Sequence, residues 1–150
     1  MTVRDLMTTD VKTCRPETNL AEAVKEMWEG DFGALPVVSD DGRVAGIITD
    51  RDICIAVATR GRSADRIAVH EVARDHVYTC LSVDDASTAL QMMKLHKIRR
   101  LPVVDTDGHV RGMLSLNDIV THAGAASPAD VVSTLASICE HQRPIAMAGA

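Results

Sequence analysis

The chain has 150 residues, a formal net charge of −5 and no Lys/Arg block, which disfavours an unspecific nucleic-acid binder. Hydrophobic residues make up 46% and charged residues 25% of the sequence, the ordinary composition of a soluble globular protein. This length suffices for one compact domain or two closely packed halves. Aromatic residues make up only 2%, so aliphatic side chains and backbone would have to hold any flat ligand.

The amino terminus lacks the charged-then-apolar pattern of a signal peptide. No apolar run approaches the roughly 18 residues that a membrane span needs. The four cysteines (Cys14, Cys54, Cys80 and Cys139) include no Cys-x-x-Cys pair. These features predict a cytoplasmic protein with free thiols, and neither nucleic acid nor a membrane as partner.

Residues 1–62 are predicted to form a helical arm followed by a strand–helix–strand–strand–helix unit. The arm covers residues 3–7 after Thr2, the first strand covers 11–14, and Thr18 is the expected cap of the first long helix. Apolar residues at helical spacing predict the inner face of this helix. They are Leu20, Ala23, Val24, Met27 and Trp28.

Two short strands and a second helix complete this unit. The strands cover residues 35–38 and 44–48, and the Asp41-Gly42 pair between them is a tight-turn signal. The second helix begins near Asp50 and ends at Gly61. Arm, strands and helices therefore follow each other within about 60 residues.

Residues 63–124 repeat this unit at a constant shift of 66 positions. The repeated strands cover 77–80, 101–104 and 110–114, and Asp84 is the expected cap of the repeated long helix. The inner face of that helix is predicted to consist of Ala86, Ala89, Leu90 and Met93. A register kept without a gap indicates an internal duplication.

Residues 125–150 lie outside the repeat and are predicted to form a helix and a loose tail. Ser127 and Pro128 are a typical helix start, and the tail is expected to begin at Arg143. An apolar stripe follows along the helix, formed by Val131, Val132, Leu135, Ile138 and Cys139. The stripe must be buried against its own chain or a second copy.

Each repeat carries a hydroxyl residue at the end of a strand and an aspartate three residues later. These pairs are Thr49 with Asp52 and Ser115 with Asp118. A hydroxyl and the backbone N–H groups at a helix start can hold a phosphate, and a carboxylate can accept hydrogen bonds from a ribose diol. The pairs are therefore candidate nucleotide-binding residues.

The duplicated pattern resembles a tandem pair of CBS domains, regulatory modules named after cystathionine β-synthase. Leu-Pro-Val-Val precedes Asp-Gly, and Gly-apolar-apolar-Thr/Ser-x-x-Asp follows, twice within residues 3–123. The resemblance implies a mixed α/β (α+β) fold with two βαββα repeats related by a pseudo-twofold axis, plus a C-terminal helix. It also implies an adenosine-containing ligand between the repeats, such as AMP, ADP, ATP or S-adenosylmethionine, and a disk-shaped homodimer.

In one site the resemblance assigns the ribose to Asp118 and the phosphate to Ser115, with Arg99 and Arg100 reaching the phosphates. The first repeat would supply the adenine pocket. Its residues are Lys12, Thr13, Phe32, Gly33 and Ala34.

In the twin site the resemblance assigns the ribose to Asp52 and the phosphate to Thr49. The residues closing over the base would be Tyr78, Thr79 and Ile98. Gly33 and Ala34 stand where the other site has its arginine pair, so Arg51 is a partial substitute. We therefore expect this site to be weaker or empty.

Simpler roles remain open for these residues. The aspartates could only cap the helices that follow them, the hydroxyls could only satisfy strand-end backbone, and Arg99 and Arg100 could be solvated surface charges. Cys14 and Cys80 occupy equivalent positions and either face each other or fill small buried sites. The histidines show no helical pair or tight ligand cluster, which leaves a metal site assembled by the fold or a dimer open.

The favoured hypothesis is a non-catalytic sensor, with an adenine nucleotide as regulatory ligand rather than cofactor, and an unidentified effector protein. The sequence shows no Walker loop, Gly-x-Ser-x-Gly elbow or other catalytic motif, so no catalytic or metal-binding residue is assigned. One alternative is a ligand-independent scaffold that dimerises through its repeat helices and residues 127–141. Another is a metal-dependent protein or cryptic enzyme.

Overall fold

The computed structural model describes residues 1–140, and the predicted tail lies outside them, as does the predicted end of the last helix at position 141. It confirms a mixed α/β fold of two similar units and a terminal helix. The α-helices are α1 (Leu20–Gly30), α2 (Asp50–Arg60), α3 (Ala86–His96), α4 (Leu116–Thr121) and α5 (Pro128–Cys139). The strands are β1 (Ala34–Val38), β2 (Val44–Thr49), β3 (Cys80–Leu81), β4 (Arg100–Val104) and β5 (Val110–Ser115). Short 3₁₀ turns cover Val3–Asp5, Ala64–Arg66 and Val69–Glu71.

Each unit is built on an antiparallel pair of strands. β1 pairs with β2 and β4 with β5 in the same register, since Leu35 faces Ile48 and Leu101 faces Leu114. β3 adds a parallel strand to the second sheet. The sheets are short, so each unit completes its core with helices and with the arm that precedes a repeat.

The first strand of each repeat is shorter than predicted. Residues 11–14 contribute one parallel bridge, from Cys14 to Val37, and residues 77–80 keep only their last member in β3. Pro16 follows this bridge and has no backbone N–H, so it cannot extend the ladder. The equivalent position in the second repeat is Ser82, which carries no such restriction.

The arms are exchanged between the units. Val3 and Leu6 of the first arm are buried in the core that contains Leu101 and Leu114. The second arm, residues 69–74, is the equivalent segment of the second repeat, and its Val69 is buried in the core of the first unit. The sequence boundaries at 62 and 124 stay a prediction, but packing crosses between the repeats in both directions.

Backbone bridges hold the exchanged arms to the return strands. Thr8 pairs with Met113 of β5, and Arg74 pairs with Ile47 of β2. A Cβ atom at Gly112 would lie 2.8 Å from the carbonyl oxygen of Thr8, a distance that side chains do not tolerate. Glycine at this position of the repeat therefore allows the arm to approach the strand.

The two long helices begin one residue later than predicted. Asn19, rather than Thr18, caps α1 by accepting the Glu22 N–H at 2.9 Å. Asp85, rather than Asp84, precedes α3. Thr18 and Asp84 each close the preceding turn instead, since their side-chain oxygens accept backbone N–H groups three residues earlier.

The predicted inner face of α3 is buried throughout, whereas that of α1 is partly wrong. Leu20, Ala23 and Met27 are buried, but Val24 is exposed and Trp28 is 86% exposed. α5 accounts for the difference, because it packs along α3, and within residues 1–140 no equivalent helix packs on α1.

Hydrogen bonds join α5 to α3. The Lys94 ammonium donates to Ser133 Oγ at 2.6 Å, and Ser137 Oγ donates to the Lys94 carbonyl at 3.1 Å. Val131 and Ile138 of the terminal stripe pack against the core, while Val132 and Leu135 stay exposed. Cys139 is exposed as well, so the helix partly buries two of the five stripe residues against its own chain.

Two leucine-to-alanine substitutions test the position of the core. Leu101 is completely buried, so Leu101→Ala should lower the free energy of unfolding by about 2–5 kcal/mol. Leu95 is 75% exposed on α3, and Leu95→Ala should change it by no more than about 0.5 kcal/mol. Urea unfolding followed by circular dichroism measures both, and equal losses would contradict the described core.

Candidate functional site

A cavity of about 290 Å³, here called the Asp118 cavity, lies between the two units. Both units line it, so its shape depends on how the repeats pack together. The first unit contributes Thr8, Asp10, Val11, Lys12, Asp31, Phe32 and Ala34. The second contributes Arg99, Arg100, Met113, Ser115, Asn117 and Asp118.

The side chains of Ser115 and Asp118 form a capping box at the start of α4. The Ser115 N–H and hydroxyl both donate to Asp118 Oδ2 at 2.7 Å, and the Asp118 N–H donates to Ser115 Oγ at 3.2 Å. Within residues 1–140, the other carboxylate oxygen of Asp118 makes no hydrogen bond. Capping thus uses one oxygen and leaves the second available to a diol in the cavity.

Most residues predicted for this site line the cavity together. Arg99 is exposed and Arg100 is half-buried at its wall, and Lys12, Phe32 and Ala34 lie opposite. Two predicted members, Thr13 and Gly33, lie outside this lining. Gly33 instead lies in a neighbouring groove, where its backbone is close to the Asp50 carboxylate.

Sequence reasoning missed the contribution of the exchanged arm and of α1's end. Thr8, Asp10 and Val11 enter the cavity because the arm pairs with β5, and Asp31 follows the last turn of α1. The 66-residue shift, which makes Thr8 and Arg74 equivalent, was the available signal that both residues could have the same place in their units.

A second cavity of about 450 Å³, here called the Arg74 cavity, is the pseudo-equivalent of the first. Of the residues predicted for the twin site, Thr49, Tyr78 and Ile98 line it, whereas Thr79 and Asp52 do not. The missed residues include further basic groups. The polar lining consists of Thr49, Asp50, Arg51, Arg74, His76, Tyr78, His96, Lys97, Arg99 and Arg100.

Asp52 differs from Asp118 in the partners of its carboxylate. Its Oδ2 accepts the Thr49 hydroxyl at 2.7 Å and the Thr49 N–H at 3.1 Å, as in the other capping box. Its Oδ1 accepts a hydrogen bond from the Arg74 guanidinium at 3.3 Å. The expected shortage of basic groups in the twin site is therefore not observed, since the second arm supplies Arg74.

Three rings stand at one wall of the Arg74 cavity. Tyr78 and His96 are stacked with ring centroids 3.5 Å apart and planes 17° apart. His76 meets Tyr78 edge-on with centroids 4.8 Å apart. Tyr78, which the family resemblance assigns to the base, thus already has an aromatic partner on one of its faces.

Within residues 1–140, one cluster of side chains could hold a metal ion, and its central carboxylate already has hydrogen-bond partners. Asp105 lies near Asp107 and His109, but its oxygens accept the backbone N–H groups of both residues and the Arg111 guanidinium. These bonds, led by the His109 N–H, lower the Asp105 pKa to about 2. Burial raises the pKa of the Cys14 thiol to about 11, as expected for a small buried residue rather than a reactive thiolate.

Cys80, the counterpart of Cys14, is also buried and free. Burial raises the pKa of its thiol to about 12. Both cysteines thus fill small positions in the cores of their units, which is the simpler of the two roles considered from the sequence.

Two exchanged repeats around a pair of cavities define the class of this protein. The sequence matches the CBS domain family over residues 3–59 and 69–124, and the chain belongs to that family. Among the described residues, no helix combines the length and apolarity required to cross a bilayer.

Similar proteins include stand-alone members of the family. Hypoxic response protein 1 of Mycobacterium tuberculosis is 32% identical over 147 residues, which is 98% of both chains. Its crystal structure, described with two coordinated zinc ions, has a TM-score of 0.74 and covers 81% of this chain and 98% of that one. CBS domain-containing protein YhcV of Bacillus subtilis is 37% identical over 80% of this chain and 84% of its own.

A further solved structure contains adenosine derivatives. The CBS domain pair of protein MJ0100 was solved in complex with 5′-methylthioadenosine and S-adenosyl-L-methionine. It is 26% identical, with a TM-score of 0.74, and the match covers 81% of this chain and 94% of that one.

Proposed function

We propose that this protein is a non-catalytic regulatory module that binds an adenosine-containing ligand in the Asp118 cavity. The observation that carries the proposal is the unoccupied Oδ1 of Asp118, held in place by the Ser115 cap at the cavity wall. A ribose diol can donate two hydrogen bonds to a carboxylate, and Arg99 and Arg100, which line the same cavity, would pair with a phosphate. AMP, ADP, ATP and S-adenosylmethionine all carry the required ribose.

Ligand binding would act on the packing between the units. The cavity wall includes Thr8 of the first arm and Met113 of β5, which are joined by backbone hydrogen bonds of 2.9 and 3.0 Å. A ligand that prefers one arrangement of these elements shifts the population toward it, whereas equal affinity for two arrangements shifts nothing. The adenosine ligands of the MJ0100 pair support this choice of ligand class.

An effector protein would read the shift, and the cytoplasm, where nucleotides and free thiols are both available, is the proposed compartment. A second candidate function is a ligand-independent scaffold that assembles as a homodimer. Trp28 and Val24 favour it, because these apolar side chains on α1 are exposed where α3 is covered by α5. A homodimer through this face is compatible with either function, and the response to ligand distinguishes them.

The Asp118→Asn variant tests ligand binding. The amide can still accept one hydrogen bond but loses the charge, so the dissociation constant for AMP should rise about tenfold or more. Isothermal titration calorimetry measures it on both proteins. In a thermal-shift panel of AMP, ADP, ATP and S-adenosylmethionine, a true ligand at about 100 times its dissociation constant should stabilise the wild type by about 2.7 kcal/mol.

Asp130→Asn is the matched control, because Asp130 exchanges similar side-chain capping hydrogen bonds with Ser127 at the start of α5 and lines neither cavity. It should retain wild-type AMP affinity. The absence of a shift with every ligand at millimolar concentration would overturn the sensor function. Turnover of a nucleotide by the purified protein would favour the enzymatic alternative.

The Trp28→Glu variant tests the dimer. A charge placed on the exposed face of α1 should convert a dimer that uses this face to monomers, as measured by sedimentation velocity. Leu135→Glu on the exposed side of α5 is the comparison, since the sequence also predicted dimerisation through that helix. A wild-type protein that stays monomeric at every concentration across a 100-fold range would contradict the scaffold function.

A further inference from the structure

The walls of the two cavities differ in charge. In the Asp118 cavity, three acidic and three basic side chains cancel. They are Asp10, Asp31, Asp118, Lys12, Arg99 and Arg100. In the Arg74 cavity, five basic side chains and the single carboxylate of Asp50 line the wall, although the whole chain carries −5. The basic ones are Arg51, Arg74, Lys97, Arg99 and Arg100. Two of the basic side chains also pair with carboxylates outside the lining, Arg74 with Asp52 and Lys97 with Glu140, so the wall keeps a smaller positive excess.

Substitutions at equivalent positions of the repeat produce this difference. Thr8 and Asn117 of the Asp118 cavity correspond to Arg74 and Arg51 of the Arg74 cavity. Likewise, two of the three aspartates that line the Asp118 cavity, Asp10 and Asp31, have no acidic counterpart in the Arg74 cavity. Their counterparts in the Arg74 cavity are His76 for Asp10 and Lys97 for Asp31. These four changes remove negative charge or add positive charge. They outweigh two changes in the opposite direction, since Tyr78 replaces Lys12 and Asp50 replaces Leu116.

The key change is at the end of the arm. Thr8 leaves the Oδ1 of Asp118 open, whereas Arg74 engages the same oxygen of Asp52. A diol could reach Asp52 only by displacing that guanidinium. Arg74 is 62% exposed and carries five N–H donors, so it can contact an anion in the cavity while it stays beside Asp52.

We propose that the Arg74 cavity binds an oligophosphate group, and that Arg74 determines this specificity, while the Asp118 cavity selects its ligand through the ribose. A cleft lined by charges of one sign concentrates counter-ions, and arginine pairs with phosphate through two parallel hydrogen bonds. Arg99 and Arg100 line both cavities and therefore face phosphates in either one. The inference deepens the proposed function and rests on its premise that the cleft holds ligands.

Inorganic tripolyphosphate is the probe, because it carries the charge of an oligophosphate without a ribose or a base. Calorimetric titration of the full chain should show one tripolyphosphate per protein. Arg74→Thr, which installs the residue of the Asp118 cavity, should weaken this binding about tenfold. The reciprocal Thr8→Arg variant should gain a second tripolyphosphate site and lose AMP affinity, because the new guanidinium would engage Asp118.

Arg111→Thr is the matched control. Arg111 also pairs with an aspartate, Asp105, and is 60% exposed, but it lines neither cavity. Its loss should leave tripolyphosphate binding unchanged. No binding by the wild type, or equal loss in Arg74→Thr and Arg111→Thr, would overturn the inference.

The outcomes separate this inference from the proposed function. Tripolyphosphate binding that depends on Arg74, in a protein that ignores AMP, would overturn the adenosine function and leave the oligophosphate site standing. AMP binding that depends on Asp118, with no tripolyphosphate bound, would overturn the oligophosphate site and leave the adenosine function standing. Circular dichroism of each variant verifies that it is folded.

Discussion

The exchange of the two arms is the interaction on which the rest of the molecule depends. Val3 and Leu6 complete the core of the second unit, and Val69 completes that of the first, so neither unit buries its apolar surface alone. The same exchange draws Thr8 to β5 and Arg74 to β2. Each cavity is therefore walled by both repeats, and a ligand in either one contacts the joint between the units.

The duplication supplies two copies of one hydroxyl–aspartate helix cap, and single substitutions near each copy change which groups its aspartate can bind. In each repeat a hydroxyl and an aspartate cap a helix. The cap holds Asp118 at the wall of its cavity, whereas Asp52 does not line the Arg74 cavity. The arm then decides what the second carboxylate oxygen does, since Thr8 leaves it free and Arg74 binds it. A fold with one backbone geometry can thus present a diol acceptor on one side and a cluster of cations on the other.

The sequence predicted the repeat and the antiparallel strand pairs, because these depend on local patterns that recur at a fixed shift, and it offered the aspartate caps as an alternative role. It failed where contacts between distant segments decide. Trp28 has the spacing of a core residue but is exposed, since helical periodicity does not say which face a later helix such as α5 will cover. Arg74 was missed because its partner, Asp52, is 22 residues away and is reached only through the arm exchange.

The most direct measurement of the central claim is a crystal structure of the protein grown with AMP. The account predicts the nucleotide between the repeats, with its ribose hydroxyls on Asp118 Oδ1 and its phosphate facing Arg99 and Arg100. An AMP molecule bound on the outer surface of one unit, or an Asp118 side chain turned away from the nucleotide, would contradict it.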